Sequence, residues 1–339
     1  MKIDWEPLRE IVSSGQRFVL SSHARPDADA LGSELGMALL LESLGKSVRI
    51  VNPSASPAHL KFLDPTDRAL KIGVDISAED ASDADVHIVL DTGSWVQLPD
   101  VSGVLRNTSA RKVVIDHHPS WDDLGATVFR DTSAPATGVL VCQLADALGW
   151  ELTREMALPL FCAIATDTGW FRFSSTDAGT FRDAARLIEL GVQPHEVYRQ
   201  LYEQYSLARV HLAGTVFSRV KLACEGRLGY TWISLKDFQE TGASPSDTDE
   251  LVNQCLTLEG VECAFIAIEQ FNKRVKFSLR SRTSVNVSQV AEELGGGGHR
   301  QASGAMLPGP LEQAVPRVLQ AMAEAIEETP AESAPSEIS

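Results

Sequence analysis

The chain has 339 residues, of which 44% are hydrophobic and 22% charged, a composition typical of a globular protein with two domains of ordinary size. The formal net charge of −16 at pH 7 gives an acidic surface, which repels the phosphate backbone of a long nucleic acid. The sequence has no apolar run of roughly 18 residues or more, and acids and a proline stand near its start instead of a basic and apolar leader. We therefore expect a cytoplasmic protein without a membrane partner.

The first half of the chain alternates short apolar stretches with helical patterns. A long helical pattern covers 28–44, and helices dominate from 135 to 217. Strands that alternate with helices predict a parallel sheet covered on both faces, so we expect a Rossmann-like α/β domain whose ligands bind at the carboxyl ends of the strands. The strand-like stretches lie at 17–22, 47–51, 86–90 and 112–115.

The second half contains strand-like stretches that predict a smaller mixed α/β domain, at 227–235, 261–269 and 274–279. The last residues are rich in Pro, Ser and Glu and lack the apolar side chains of a core, so we expect them to be disordered. The predicted organisation is an N-terminal domain at 1–190, a helical connector at 191–217, a C-terminal domain at 218–328 and a disordered tail at 329–339.

Acidic and imidazole side chains follow the ends of the predicted apolar elements in the first half. An ionised carboxylate beside a core costs several kcal/mol unless a cation or a partner neutralises it. Four such places in one domain predict a common cation site, with acidic helix caps and core histidines as the alternative. The side chains are His23, Asp27 and Asp29 after the first strand, Asp91 after the third, Asp116, His117 and His118 after the fourth, and Asp167 after a helical run.

The ligand types indicate which cations such a site prefers. Oxygen and imidazole ligands without thiolates suit manganese, magnesium or iron better than structural zinc. Four aspartates and two histidines exceed the needs of one hard cation, so we expect two metal ions that share a bridging carboxylate. Paired ions of this kind activate water for in-line attack on phosphorus.

Four segments, HARPDADALGS, VLDTG, IDHHP and ATDTG, resemble the motifs of the DHH (RecJ-like) phosphoesterase superfamily, in the same order. The resemblance implies that the metal is usually manganese, with magnesium as an alternative. It also implies that Asp91 bridges two ions. The implied ligands are His23, Asp27 and Asp91 for one ion, and Asp29, Asp91, His117 and Asp167 for the other.

The same resemblance implies catalytic roles for two further residues. His118 is expected to contact the substrate phosphate and stabilise its developing charge, and Asp116 is expected to orient the neighbouring histidines. Catalysis would then belong to the domain at 1–190 and substrate binding to the domain at 218–328.

Four consecutive glycines precede His299 near the C-terminus. Glycines allow backbone N–H groups to converge on an anion without obstruction by side chains, whereas a flexible linker is the alternative. A basic strand lies upstream, and Arg274, Lys276, Ser278 and Arg280 share one of its faces because side chains alternate along a strand. This arrangement predicts a local phosphate-binding site in an acidic protein.

This region resembles the GGGHxxAxG motif of the DHH-associated C-terminal domain, which binds substrate phosphate. The resemblance implies that the clamp grips a terminal phosphate while the metal ions act on the scissile one. Arg282 and Arg300 are further candidates, with a solvated surface charge as the alternative. The implied clamp residues are Arg280, Ser281, Gly297, Gly298 and His299.

Together the motifs resemble enzymes that degrade very short oligonucleotides and also dephosphorylate 3′-phosphoadenosine 5′-phosphate. The resemblance implies substrates of about two to five nucleotides, cut to mononucleotides, and an acidic surface that disfavours long chains fits this expectation. Short single-stranded RNA or DNA and small nucleotides are the expected partners, and a homodimer is expected. The alternatives are a hydrolase of linear or cyclic dinucleotide messengers and a non-catalytic nucleotide-binding regulator.

Three positions depart from the family pattern and leave base preference open. Trp121 and its neighbours stand where an Asn is common, Gly138 stands where relatives often carry an acid, and Ser303 stands where alanine is frequent. Three tryptophans are candidates for base stacking, with ordinary packing as the alternative: Trp95, Trp121 and Trp170.

Overall fold

The computed structural model describes residues 3–248 and 250–329, with every side chain in these ranges except that of His299. The chain divides into two compact units, Met1–Gln204 and Tyr205–Ser339. Apart from Thr329, the predicted tail at 329–339 lies outside the described residues.

The first unit is built on a six-stranded sheet in which every strand pairing is parallel. Its strands are β1 (Arg17–Ser21), β2 (Ser47–Asn52), β3 (Ala69–Lys71), β4 (Val86–Leu90), β5 (Arg111–Asp116) and β6 (Thr127–Arg130). Their order across the sheet is β3-β2-β1-β4-β5-β6, the order of a doubly wound α/β fold, which confirms the predicted Rossmann-like architecture. The order reverses between β1 and β4, so a ligand crevice is expected at the carboxyl ends of these two strands.

Helices cover both faces of this sheet. Neighbouring strand residues such as Val19 and Leu20 point to opposite faces, and both are fully buried because each face has its own layer of helices. Helices α2, α5 and α6 pack on the face of Leu20, and α4 packs on the face of Val19. The helices of the unit are α1 (Glu6–Ser14), α2 (Ala28–Ser43), α3 (Ala78–Ser82), α4 (Val101–Asn107), α5 (Thr137–Leu148), α6 (Arg154–Asp167), α7 (Ala178–Glu189) and α8 (Pro194–Tyr202).

The apolar stretches of the sequence predicted four of the six strands to within one residue at either end. Strands β3 and β6 were not predicted. Both lie at the edges of the sheet, have only three and four residues, and are largely exposed or half-buried, so they lack the apolar pattern of a buried strand.

The second unit has its own six-stranded mixed sheet, as predicted. Its strands are β7 (Lys221–Ala223), β8 (Leu228–Ile233), β9 (Cys263–Glu269), β10 (Arg274–Ser281), β11 (Gly297–His299) and β12 (Ala302–Pro308). The order is β11-β12-β10-β9-β8-β7, and only β8 and β9 run parallel. The glycine run, which has no side-chain pattern, forms the edge strand β11.

Helices also pack on both faces of the second sheet. Phe265 and Ile266, neighbours on β9, belong to the two different cores. Helices α12 and α13 cover the face of Phe265, and α9, α10 and α11 cover the face of Ile266. These helices are α9 (Leu207–Ser218), α10 (Leu235–Thr241), α11 (Leu251–Cys255), α12 (Val287–Glu293) and α13 (Leu311–Glu327).

The segment predicted as a helical connector, 191–217, contains α8 and almost all of α9, and the two units divide between these helices. The predicted domain limits remain predictions. Within the described residues, no helix is both long and apolar enough to cross a membrane.

Candidate metal centre and phosphate clamp

The turn from β1 to α2 presents His23 and Asp27. The Asp27 carboxylate caps α2, because its Oδ1 accepts the backbone N–H groups of Asp29 and Ala30 at 3.0 Å each. The same oxygen lies 3.8 Å from His23 Nε2. The helix cap and the predicted ligand role therefore coincide in one side chain.

Asp91 stands directly after β4, at the point where the strand order reverses. Its side chain is only 2% exposed, and its backbone is left-handed with φ 60°, a conformation that costs energy outside glycine. Its Oδ2 lies 3.4 Å from His23 Nε2, and its Oδ1 lies 3.5 Å from His117 Nε2. Each oxygen of this buried carboxylate thus faces a different imidazole.

Asp29 lies in the first turn of α2 and is held by the start of α5. Its Oδ2 accepts the backbone N–H of Thr137 at 2.7 Å, and its Oδ1 accepts that of Gly138 at 2.9 Å. A Cβ on Gly138 would lie 2.6 Å from the Cβ of Ala163 on α6. The absence of an acid at position 138 therefore follows from the close approach of α5 to α6.

His117 lies among three of the predicted carboxylate ligands. Its Nε2 is 3.4 Å from Asp167 Oδ2, 3.5 Å from Asp91 Oδ1 and 3.7 Å from Asp29 Oδ2. Its Nδ1 lies 3.1 Å from the carbonyl oxygen of Ala134, which can only accept, so Nδ1 carries a proton. In the neutral ring this leaves the lone pair of Nε2 directed at the carboxylates.

His23 has the same arrangement, because its Nδ1 donates to the carbonyl oxygen of Ala24 at 3.1 Å. Histidine ligands of metal ions characteristically donate their other ring nitrogen in this way, which fixes the tautomer and the orientation of the ring. Two independent imidazoles in the orientation of metal ligands, with carboxylates around both, fit a hard divalent cation.

His118 is anchored by Asp116, the last residue of β5. Asp116 is fully buried, and its Oδ1 accepts the backbone N–H of His118 at 3.1 Å and the Nδ1–H at 2.9 Å. The hydrogen bond to Asp116 raises the pKa of His118 above its usual value, and the charge of Asp91 adds to this although burial opposes it. Asp116 Oδ2 is buried without a hydrogen-bond partner among the described residues.

The pKa values show how strongly these groups interact. Burial, together with the charges of Asp91 and Asp167, raises the pKa of Asp29 well above its usual value. Burial also raises the pKa of Asp167 to about 6, against the influence of His117. Burial lowers the pKa of His117, but its hydrogen bond with Asp91 and the nearby carboxylates raise it to about 10. Without a cation, the cluster must hold protons to offset its buried negative charge.

The structure brings all six predicted ligands together. Together with His118, these residues form three groups, and within each group one ligand atom from every residue lies within 4.8 Å of the others. Their roles as ligands remain predictions. The groups are His23, Asp27 and Asp91; Asp29, His117 and Asp167; and Asp91, His117 and His118.

In the second unit, close packing requires a glycine at two positions of the run before His299, one of which, Gly298, belongs to the predicted clamp. A Cβ on Gly296 would lie 2.1 Å from Gly304 O, and a Cβ on Gly298 would lie 2.6 Å from Ser303 Cα, so both allow β11 to pair closely with β12. Gly297 has open space where a Cβ would lie, within the described structure. Gly295 has the same open space, so Gly297 is the glycine of the predicted clamp, but not of the whole run, whose built Cβ meets no neighbour.

Arg280 is the best-placed cation of the predicted clamp. It lies opposite Ala302 of β12, which in turn lies opposite His299 of β11, so positions 280 and 299 are in register across the sheet. The guanidinium of Arg280 is half-buried, and burial lowers its pKa, although the charge of Glu250 opposes this. Like the other two arginines of this region, it donates to a backbone carbonyl oxygen, from Nη1 to Leu279 O at 3.0 Å.

The other clamp candidates have contacts of their own. Ser281 is buried on the opposite face of β10, where its hydroxyl donates to Thr283 O at 3.3 Å. Arg282 and Arg300 donate to backbone carbonyl oxygens, at 2.8 Å in both cases. The side chain of His299 lies outside what the structure describes. Phosphate binding by these residues remains a prediction.

Ser303, the third departure from the family pattern, is explained by a hydrogen bond. Its hydroxyl is 6% exposed and donates to the carbonyl oxygen of Val287, the first residue of α12, at 2.5 Å. The serine therefore joins β12 to α12 behind the glycine strand.

Sequence reasoning missed two polar groups behind the centre. Thr137 donates to both Asp29 and Asp91, through its backbone and its hydroxyl. Asn52 accepts the N–H of Ser22, next to His23, and donates to the buried Glu34 at 2.8 Å. A threonine at a helix start is common, and Glu34 lies in the regular helical pattern of α2, so the sequence gave no specific signal for either residue.

Comparisons with known proteins agree with this geometry. The model of the DHH family N-terminal domain matches residues 17–164, and the model of the DHHA1 domain matches residues 227–328. A bifunctional oligoribonuclease and PAP phosphatase NrnA from Thermus thermophilus is 33% identical over 333 residues, which cover 94% of each chain. The protein of the same name from Bacillus subtilis is 29% identical over 87% of this chain and 91% of its own.

A solved structure also has the same fold over nearly the whole chain. The crystal structure of an exopolyphosphatase-related protein from Bacteroides fragilis superposes with a TM-score of 0.89 and 27% identity, covering 94% of this chain and 95% of that one. The resemblance seen in the sequence motifs is thereby confirmed. The chain belongs to the DHH family of phosphoesterases and carries a C-terminal DHHA1 domain.

Proposed function

We propose that this enzyme is a two-metal phosphodiesterase and phosphatase that hydrolyses short oligoribonucleotides to mononucleotides and 3′-phosphoadenosine 5′-phosphate to AMP. The names of the relatives from Thermus thermophilus and Bacillus subtilis support these substrates. One structural observation carries the proposal. The two oxygens of the buried Asp91 carboxylate face His23 and His117 separately, at 3.4 and 3.5 Å, as a carboxylate that bridges two ions must.

DHH phosphoesterases depend on metal ions, and the donor set of this chain suits Mn²⁺, with Mg²⁺ as an alternative. When bound, such ions lower the pKa of water and neutralise charge on the phosphate. Asp91 would be a ligand of both ions. The other ligands would be His23 and Asp27 for one ion, and Asp29, His117 and Asp167 for the other.

The catalytic work of the protein itself falls to His118. Asp116 holds the imidazole through Nδ1 and favours its protonated form, in which Nε2 also has a proton to donate to a phosphate oxygen. Asp116 is a positioning residue, since it acts through His118. The neighbouring Asp91 lies 3.8 Å from His118 Nδ1, which places this imidazole beside the metal ligands.

The second unit would bind a phosphate that is not cleaved. Arg280 supplies a half-buried positive charge, Gly297 has open space where a Cβ would lie, and both lie in an otherwise acidic chain. Ser281, Arg282, Gly298 and His299 complete the proposed clamp. A net charge of −16 opposes the approach of long RNA, so the substrates would be short. A homodimer and a cytoplasmic location are proposed as well, and light scattering tests the first.

The test is a time course with Mn²⁺ on labelled RNAs of graded length, from dinucleotide to a long oligomer, and on 3′-phosphoadenosine 5′-phosphate. We expect the shortest RNAs and 3′-phosphoadenosine 5′-phosphate to be hydrolysed fastest. Linear and cyclic dinucleotide messengers are assayed in parallel. A clear preference for a messenger would replace the proposed substrate, and binding without turnover would indicate a regulator.

Substitutions test whether the proposed metal ligands are needed for turnover and not for folding. Asp91→Ala and His117→Ala are expected to abolish turnover while the protein stays folded. Asp80→Ala and His59→Ala are matched controls, since both side chains are exposed in the same unit and lie outside the cluster. Turnover that persists in Asp91→Ala with Mn²⁺ would contradict the proposed centre.

A further inference from the structure

A tryptophan lies exposed beside the candidate metal centre. Trp121 follows His118 by three positions and is 50% exposed. A Cβ built on Gly93 would lie 3.2 Å from Trp121 Cβ and 3.4 Å from Asp116 Oδ2. Trp121 therefore packs where the loop that follows Asp91 meets the loop that carries the two histidines.

Hydrogen bonds hold the backbone at Trp121 in place. The N–H of Asp122 donates to Gly93 O at 2.7 Å. The carboxylate of Asp122 accepts the hydroxyl of Ser94 at 2.9 Å and the N–H of Trp95 at 2.8 Å. The exposed ring is thus carried by an ordered segment that is tied to both loops of the centre.

A cation lies against the ring of Trp121. The guanidinium carbon of Arg130 lies over the ring, 5.2 Å from its centroid, and Arg130 Nη1 donates to Pro119 O at 3.0 Å. Arg130 therefore ties the indole to the backbone that follows the histidines. The exposed part of the indole leaves an aromatic surface for a second stacked group.

Nucleobases are the ligands that best match this arrangement. Every base has a flat π-face, and stacking on an aromatic side chain binds single-stranded nucleotides without requiring one base sequence. A base is joined to its phosphate only through one ribose, and Trp121 and Asp116 both pack against Gly93, in the loop that follows Asp91. A core role does not explain a tryptophan that is half exposed.

We propose that Trp121 is a stacking platform for a nucleobase of the substrate, with Arg130 supporting the ring. This inference rests on the proposed function, because it assumes that the phosphate in the metal centre belongs to a nucleotide. It adds a base-binding subsite in the first unit, separate from the phosphate clamp of the second.

The test compares two ligands that differ only in the base, AMP and ribose 5-phosphate. Isothermal titration with Mn²⁺ measures their affinities without any turnover. Stacking of one base makes AMP bind about 5- to 100-fold more tightly than ribose 5-phosphate to the wild type. Trp121→Ala should remove most of this ratio and leave the affinity for ribose 5-phosphate unchanged, whereas Trp121→Phe should retain most of it.

Two further variants serve as controls. Trp121→Leu keeps apolar volume without a π-face and should behave like Trp121→Ala, even if the smaller side chain perturbs the loop. Phe271→Ala removes an aromatic side chain that is 79% exposed in the second unit, and it should change neither affinity. Melting curves establish that each variant is folded.

An unchanged ratio in Trp121→Ala and Trp121→Leu would overturn the platform, as would a wild type that binds both ligands equally. Hydrolysis of 3′-phosphoadenosine 5′-phosphate is assayed separately. A wild type that binds AMP through Trp121 but hydrolyses no nucleotide would contradict the proposed function and leave the platform standing. A wild type that hydrolyses the nucleotide, with no loss of AMP preference in the variants, would support the proposed function and contradict the stacking platform.

Discussion

The hydroxyl of Thr137 donates a hydrogen bond to Asp91 Oδ1 at 2.9 Å, and the backbone N–H of the same residue donates to Asp29 at 2.7 Å. One residue at the start of α5 thereby fixes two carboxylates that come from the ends of different elements. Both carboxylates are almost fully buried, Asp29 at 1% exposure and Asp91 at 2%. Thr137 is a positioning residue for the proposed ions.

Thr137→Val should weaken Mn²⁺ binding by about 10- to 100-fold, because it keeps the shape of the side chain and removes the hydrogen bond to Asp91. Thr137→Ser should bind Mn²⁺ nearly as well as the wild type. Electron paramagnetic resonance of free Mn²⁺ during titration measures the affinity directly, without an activity assay. Equal affinities in Thr137→Val and the wild type would show that the hydroxyl does not position Asp91.

Gly138→Ala should destabilise the first unit by about 1–3 kcal/mol, because the new methyl group would lie 2.6 Å from the Cβ of Ala163. Gly103→Ala is the matched control, since Gly103 also lies in a helix but has no neighbour within 4 Å of a built Cβ. The control should be neutral or stabilising by up to about 1 kcal/mol. Urea unfolding of both variants measures the difference, and equal effects would argue against the close contact of α5 and α6.

His87 should make the protein less stable in mild acid. It is 1% exposed on β4, and burial, assisted by the charge of Lys112, lowers its pKa to about 3. Ser21 donates its hydroxyl hydrogen to Val51 O, so His87 Nε2 donates to Ser21 and the ring is neutral. Because the unfolded chain binds a proton near pH 6.5 and the folded chain near pH 3, stability is complete above pH 6.5 and falls as the pH drops between these values.

The free energy of unfolding should fall by up to about 1.4 kcal/mol for each pH unit below pH 6, because of His87. Urea unfolding at pH 7 and pH 5, in chelator to remove metal ions, should show a smaller change in His87→Gln than in the wild type. His59→Gln, at an exposed position of the same unit, should keep the wild-type pH dependence. Identical pH dependence in all three proteins would mean that His87 does not contribute.

Arg280→Gln should raise the KM for short RNA by about 10- to 100-fold, because a charged hydrogen bond to phosphate is lost. Arg274→Gln is the matched control on the same face of β10, where the side chain is exposed. It should change KM little. Steady-state kinetics on a dinucleotide measures both, and a rise in Arg274→Gln as large as that in Arg280→Gln would point to general charge attraction and not to a clamp.

Part of the centre follows from local sequence, and part depends on tertiary packing. Asp91 and His117 could be predicted as neighbours, because they follow β4 and β5, which are adjacent parallel strands with short apolar patterns. Thr137 could not, because its partner Asp91 is 46 positions away and a threonine at a helix start is ordinary. Similarly, the glycine at 138 looked like a departure until the contact with Ala163 gave it a reason.

The glycine-rich segment shows a second limit. The sequence indicated an anion-binding turn, yet Gly296 and Gly298 are also required by the pairing of β11 with β12. The composition of a glycine run does not distinguish backbone exposed to a ligand from backbone pressed against a neighbouring strand. Of the two proposed clamp glycines, Gly297 has open space at a built Cβ whereas Gly298 does not, and Ser281 turns its side chain to the buried face.

The central claim is that two divalent cations lie on either side of the Asp91 carboxylate. Anomalous diffraction at the manganese edge, from crystals grown with Mn²⁺, tests it most directly. We predict two anomalous peaks about 3.5–4 Å apart, with one Asp91 oxygen at each. A single peak, or two peaks of which neither is bound by Asp91, would contradict the proposed centre.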